Sequence, residues 1–139
     1  MTSRGIRNNN PLNIRIGNTW YGEREHCTDK EFEQFECMLY GVRAGFVLLK
    51  RYIERYHLDT ILEIIHRWAP SSENNTAAYI QAVVERTGIS SCEKLRFSDK
   101  QTMVALVDAM ILVECGTTIS NNIITDAYDM VLCEQYRKI

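Results

Sequence analysis

The sequence has little of what would mark a membrane protein, a secreted precursor or a nucleic-acid-binding protein. No apolar run reaches the roughly 18 residues of a membrane span, and the opening MTSRGIRNNN contains no apolar stretch typical of a signal peptide. Lys and Arg number 16 and Asp and Glu 18, so the formal net charge is −2 and no basic excess favours nucleic acid. We therefore expect a chain that is cytoplasmic when synthesised, with neither nucleic acid nor a membrane as partner.

Cysteine and histidine form no recognisable ligand pattern. The five Cys are odd in number and no CxxC pair occurs, which disfavours a disulfide framework or a zinc knuckle. The three His are scattered along the chain. We expect reduced and mostly buried thiols, no metal site and no cofactor.

The apolar periodicity predicts one mainly α domain over residues 1–139 with a small β-hairpin element near the N-terminus. The segments IRIGNTWYG and EFEQFE combine a Gly-Asn turn signal with apolar–polar alternation, which predicts the hairpin within about residues 13–36. Asp59 and Ser98 are expected N-caps of later helices. Helical spacing of apolar residues predicts helices over about residues 38–56, 59–68, 75–87, 98–115 and 122–136.

A series of short motifs occurs in a fixed order through residues 4–116. The series is RGIRNNNPLNIR, WYG, Asp29, FxxF, YGVRA, HRWAP, ENNTAAYI and VECG. It resembles a phage and prophage family whose members are known as structural or endolysin-like proteins and carry the RGIRNNNPxNIR motif. The resemblance implies action in a virion or at the bacterial cell wall, with other virion proteins as candidate partners.

The same motifs resemble, more loosely, the glucosaminidase and lytic transglycosylase branches of the lysozyme-like superfamily. In those enzymes a helix ending in a catalytic Glu precedes an NNxxxI segment and a β region with WxG. Here the helix end ILVECG follows those parts, as a circular permutation would place it. The resemblance implies a lysozyme-like α+β domain that cleaves the peptidoglycan glycan strand as a glycosidase or lytic transglycosylase. The alternatives are a non-catalytic virion structural or peptidoglycan-binding protein, and a helical adaptor of the host.

Glycoside cleavage needs a carboxylic acid that stays protonated near neutral pH, and therefore a raised pKa. Glu114 is the candidate catalytic acid, because apolar neighbours and the negative end of a predicted helix both disfavour a carboxylate. The β region carries the second acid in the glucosaminidases, and Glu25 is the candidate there. Nothing in the sequence separates Glu25 from Glu23, Asp29 or Glu31. The alternative for Glu114 is a side chain that points to solvent before a glycine cap.

Sugar binding requires flat apolar rings and amide groups. Asn10 and Asn13 are the candidate amides, which would bind sugar hydroxyls and N-acetyl groups; the alternative is that these Asn only turn and cap the chain. Trp20 is the candidate stacking ring. Tyr79 resembles the Tyr of YVxxV segments that line transglycosylase clefts, which implies that its phenol orients the acid. Trp68 is a further aromatic, although a Trp at the end of an apolar helix commonly packs inward.

This assignment makes a spatial prediction. Glu114 should end a central helix, abut the Asn-rich segment and face a groove shared with Asn10, Trp20 and Tyr79. Leu12 stands where related sequences have Gly, so the turn there has to be made without a residue that adopts positive φ easily.

Overall fold

The computed structural model describes residues 2–72 and 74–133, and the fold of this part is mainly helical, which confirms that part of the prediction. The helices are α1 Arg4–Arg7, α2 Met38–Lys50, α3 Ile61–Trp68, α4 Thr76–Thr87, α5 Lys100–Cys115 and α6 Asn121–Leu132. The helix α2 continues into a π-helical turn at Arg51–Arg55.

Residues 13–36 form loops in place of the expected hairpin. Their backbone pairs at two isolated antiparallel bridges, Arg15 with Phe32 and Glu23 with Phe35. Side chains take up the backbone donors that a ladder would use: the Gln34 amide oxygen accepts from the N–H groups of residues 28 and 29, and the Asp29 carboxylate accepts from those of residues 31 and 32. The β element expected within residues 13–36 is thus limited to these two bridges.

Side-chain caps define where the helices begin. Thr60 Oγ1 accepts from the N–H of Glu63 and donates its own proton to the Glu63 carboxylate. Asp99 Oδ1 accepts from the N–H of Thr102. Both caps lie one residue beyond the expected Asp59 and Ser98, because a threonine hydroxyl and the next carboxylate were equally able to cap.

The helix α5 lies at the centre of the core, between α4 and α6, and α2 packs against α6. It is apolar on most of its circumference, as expected of a helix with neighbours on several sides. Tyr128 of α6 joins an aromatic cluster with Phe46 and Phe97 and donates its hydroxyl proton to the Phe97 carbonyl at 2.6 Å. The fully buried α5 side chains are Met103, Leu106, Val107, Ala109, Met110 and Ile111.

The segment Asn8–Asn13, called the elbow below, is held against α2 by two glycines. A Cβ at Gly41 would overlap the carbonyl oxygen of Asn9, and a Cβ at Gly45 would overlap the side chain of Leu12. Leu12 is fully buried in this contact. Leu12, which replaces the Gly of related sequences, therefore packs against Gly45 of α2. Together with the close approach of Asn9 to Gly41, this contact fixes the elbow on the surface of α2.

Two expectations concern the surface. None of the helices in the described part of the chain is both long and apolar enough to cross a membrane. The expectation of mostly buried thiols is wrong, because Cys27, Cys92 and Cys133 are exposed. Their side chains lie in loops or at a helix end, where no packing partner covers a small apolar group.

Candidate active site

The elbow reverses the chain by placing asparagines in the left-handed region. Asn9 and Asn13 have φ values of 53° and 52°, a conformation that asparagine adopts more readily than most residues. Asn10 lies fully buried beneath them. Its amide donates to the carbonyls of Ile14 at 2.9 Å and Glu33 at 3.0 Å, and its oxygen accepts from the N–H of Ile14 at 3.0 Å. Asn10 therefore ties the elbow to the loops and has no amide group left for a sugar.

The C-terminal end of α5 meets the elbow. Cys115 Sγ donates to the carbonyl of Pro11 at 3.2 Å, although the two residues are 104 positions apart. Gly116 caps α5 at φ 70° and turns the chain away. The predicted contact between this helix end and the Asn-rich segment is present in the structure, and it brings Glu114 to the elbow.

The Glu114 carboxyl is bonded on both oxygens by neutral donors. Asn13 Nδ2 donates to Oε1 at 2.8 Å, and the Tyr79 hydroxyl donates to Oε2 at 3.0 Å. Burial raises the pKa of Glu114, and the hydrogen bonds from Asn13 and Tyr79 oppose that rise. No cation neutralises the carboxyl in this set, and it lies at the negative end of α5. Such surroundings favour a carboxyl group that retains its proton.

Tyr79 reaches Glu114 from α4 and is itself buried. Burial raises the pKa of Tyr79 well above its ordinary value, and the neighbouring Glu114 raises it further. Its hydroxyl therefore stays protonated and acts as a fixed donor. Together with Asn13 it sets the plane of the carboxyl, which is the orienting contact that the resemblance implied for this tyrosine.

Glu114 lines a groove of about 500 Å³ that runs between the loops, the π-helical turn and the end of α3. Trp68 Nε1 donates to the Leu12 carbonyl at 3.3 Å, and its ring meets that of Tyr52 edge-on at 5.8 Å between centroids. The described residues that line the groove are Asn13, Ile14, Arg15, Asn18, Phe32, Leu48, Tyr52, Arg67, Trp68, Ala69, Pro70, Asn74 and Glu114.

Trp20 and Glu25 do not belong to this lining. Trp20 is buried, with its backbone N–H donating to the Glu23 carboxylate at 2.9 Å, so its ring serves the core. Glu25 is exposed on the loops. Among the described residues that line the groove, Glu114 is the one carboxylate. The aromatic surface that the sequence assigned to Trp20 is supplied by Trp68 and Tyr52.

A second buried carboxyl, Glu33, lies outside the groove and was not singled out from the sequence. Burial and, next, the charge of Glu23 raise its pKa to about 7, against hydrogen bonds from the backbone of Gly17 and Asn18. In a strand, Glu33 would share one face with Glu31 and Phe35, and nothing in that pattern marks it as buried. Its burial comes from the loops that replace the expected strands, and apolar periodicity does not predict such loops.

The fold and the site together define a mainly helical domain in which a central helix delivers one protonatable carboxyl to a groove. The chain is 44% identical over 119 residues to Protein P5 of Pseudoalteromonas phage PM2, and this alignment covers 83% of the chain and 72% of that protein. It therefore belongs to the same phage protein family, as the motif series indicated. No protein-family model matches the chain.

Proposed function

We propose that the chain cleaves the glycan strand of peptidoglycan, with Glu114 as the general acid. The observation that carries this proposal is a half-buried carboxyl of raised pKa, held by Asn13 and Tyr79 at the edge of a groove lined by aromatic rings and amides. Proton donation to a glycosidic oxygen requires an acid of this kind. The groove volume of about 500 Å³ lies within the usual range of ligand sites.

The order of the parts supports a permuted lysozyme-like domain. The end of α5 bearing Glu114 meets the elbow in space, whereas in sequence the elbow comes 101 residues earlier at Asn13. In the lysozyme-like enzymes the corresponding helix end directly precedes the Asn-containing segment. A permutation of the chain would leave that contact intact while reversing the order of its partners.

The single carboxylate favours the lytic transglycosylase form of the reaction. A retaining glycosidase holds its two carboxyls roughly 5 Å apart and an inverting one roughly 6.5–9.5 Å apart. Glu114 has no such partner among the described residues of the groove. In the reaction we propose, Glu114 gives its proton to the leaving oxygen. The resulting carboxylate then takes the proton of the substrate's own primary hydroxyl, which attacks the anomeric carbon and closes an anhydro ring.

The test is Glu114→Gln, which retains the shape of the side chain and one accepting oxygen and removes the acid. We expect release of soluble muropeptides from purified peptidoglycan to fall at least about 100-fold, since general acid catalysis contributes that much or more. The melting temperature should stay equal or rise, because a buried carboxyl is replaced by a neutral amide. Mass spectrometry of the wild-type products should show anhydro-muramyl ends.

The matched control is Glu85→Gln on the exposed face of α4, where the carboxylate accepts from the Gln81 amide. It should cleave as well as the wild type. Equal cleavage by Glu114→Gln and wild type would show that Glu114 is not the acid. If the wild type binds glycan strands and cleaves none, the peptidoglycan-binding function replaces the catalytic one.

A further inference from the structure

The groove is more basic than the chain that surrounds it. The formal net charge of the chain is −2, whereas the charged side chains among the described lining residues are Arg15, Arg67 and Glu114. Glu114 is neutral when it carries the proton that the proposed reaction needs. The charges that then remain among the described lining residues are positive, so their chemistry favours a substrate with negative charge.

The two arginines differ in their surroundings. Arg15 lies 3.7 Å from the Glu31 carboxylate and stacks on the ring of Phe32 at 4.8 Å. Arg67, exposed in the last turn of α3, has no carboxylate within 4.0 Å among the described side chains. The positive charge of Arg67 is therefore the less compensated of the two.

Two tyrosine rings hold the guanidinium of Arg67. Its central carbon lies 5.7 Å from the centroid of the Tyr52 ring and 5.5 Å from that of Tyr56. Tyr56 is 46% exposed, so this contact lies at the surface. One side-chain hydrogen bond from Arg67 goes to Tyr52, and the cation–π contacts leave the other N–H groups of the guanidinium for an acceptor. A planar fork fixed in this way suits a carboxylate, which it can bind with two parallel hydrogen bonds.

We propose that Arg67 is a specificity-determining residue that binds a carboxylate borne by the glycan. This inference rests on the proposed function and narrows its substrate class to glycans with acidic substituents, as opposed to neutral polymers of N-acetylglucosamine. The carboxylate has two chemical sources in peptidoglycan: the lactyl group of muramic acid when no peptide is attached, and the peptide stem when one is. The same guanidinium fork fits both.

The experiment compares three ligands: intact peptidoglycan, peptide-free glycan strands, and neutral chitin oligosaccharides. Affinity is measured by calorimetry in the Glu114→Gln background, so that turnover does not consume the ligand, and KM and kcat are measured with Glu114 present. We expect Arg67→Gln to weaken binding of the acidic ligands, and to raise their KM, by about tenfold, as loss of one charge-assisted hydrogen bond predicts. Binding of chitin oligosaccharides and kcat should stay within about twofold of the wild type.

Two further variants separate charge from geometry. Arg67→Lys keeps the charge and loses the planar fork, so it should recover only part of the lost affinity. Arg55→Gln removes the same charge from the exposed π-helical turn outside the groove lining and should leave every affinity unchanged. A loss seen with peptide-free strands identifies the lactyl carboxylate as the ligand, and a loss seen only with intact peptidoglycan identifies the peptide stem.

The inference is overturned if Arg67→Gln weakens neutral and acidic ligands equally, if it weakens neither, or if the chain binds no acidic glycan. The proposed function has a different failure. A wild type that binds acidic strands through Arg67 and cleaves none would refute the catalytic proposal and leave the assignment of Arg67 standing.

Discussion

Replacing Glu33 with Gln should raise the stability of the domain above neutral pH and leave it nearly unchanged in mild acid. Glu33 is 5% exposed, and burial together with the charge of Glu23 raises its pKa from 4.5 to about 7. Gln keeps an oxygen that can accept from the backbone N–H groups of residues 17 and 18. Its amide can donate to Glu23, as the proton of Glu33 does.

The magnitude follows from the shift in pKa. In the folded chain Glu33 keeps its proton up to about pH 7, whereas the unfolded chain loses it near pH 4.5. Between these values the folded state binds more protons, so the free energy of unfolding falls as the pH rises. Raising the pKa from 4.5 to about 7 corresponds to about 3 kcal/mol, at ~1.4 kcal/mol for each tenfold change in the protonation equilibrium.

The assay is urea-induced unfolding of wild type and Glu33→Gln between pH 4 and pH 8.5. The two should agree near pH 4, below the unfolded pKa, and the variant should be more stable by up to about 3 kcal/mol at pH 8.5, or by roughly 10 °C in melting temperature. Glu23→Gln should recover part of this gain, because it removes the second contribution to the shift. The exposed Glu36→Gln serves as the control and should follow the wild type. Parallel curves for wild type and Glu33→Gln at every pH would refute the assignment of Glu33 as a protonated buried acid.

Three further changes test the frame around the site. Gly41→Ala should lower the free energy of unfolding by more than about 3 kcal/mol, as measured by thermal unfolding. The new Cβ would overlap the Asn9 carbonyl, which belongs to the backbone and cannot move aside at low cost. The control is Gly17→Ala, which should cost far less because Gly17 has open space around it. Asp29→Asn should flatten the acid limb of the stability curve below pH 4, because Arg4 holds the pKa of Asp29 well below its usual range and that stability is lost as the pH falls. Tyr128→Phe should cost about 1–2 kcal/mol in urea unfolding by leaving the buried Phe97 carbonyl unpaired.

The helical part of the fold was predictable from the sequence because its signals are local. Apolar spacing marks the helices, and the glycines at 88 and 116 mark helix ends with φ values of 73° and 70°. The loops at residues 13–36 were not predictable in the same way. Apolar and polar residues do alternate there, but the side chains of Asp29 and Gln34 accept the hydrogen bonds of backbone N–H groups that a hairpin would pair between strands. No pattern of apolar residues distinguishes such loops from a hairpin.

Sequence reasoning identified the site residues that lie in helices and misplaced the aromatic ring that lies in a loop. Glu114 and Tyr79 lie in helices, so their faces follow from the period, and the structure brings them together. The two tryptophans have the opposite locations to those expected. A loop Trp suggested a binding ring and a helix-end Trp suggested core, yet Trp20 is buried and Trp68 lines the groove. Packing against the rest of the domain decides this, and it has no signature within a few residues of either ring.

The acidity of Glu114 depends on contacts from distant parts of the chain. Burial raises its pKa, while the bonds from Asn13 and Tyr79, 101 and 35 residues away, lower it and fix the carboxyl plane. Loosening the elbow would admit water to the carboxyl, so its pKa would fall towards the ordinary value and less of the acid would be protonated at neutral pH. On the proposed function, damage to the elbow should therefore move the high-pH limit of the activity profile to lower pH before it unfolds the domain. The Asn-rich motif would then matter to catalysis through Asn13, which touches Glu114, and through Asn10, which holds the elbow in place without reaching the groove.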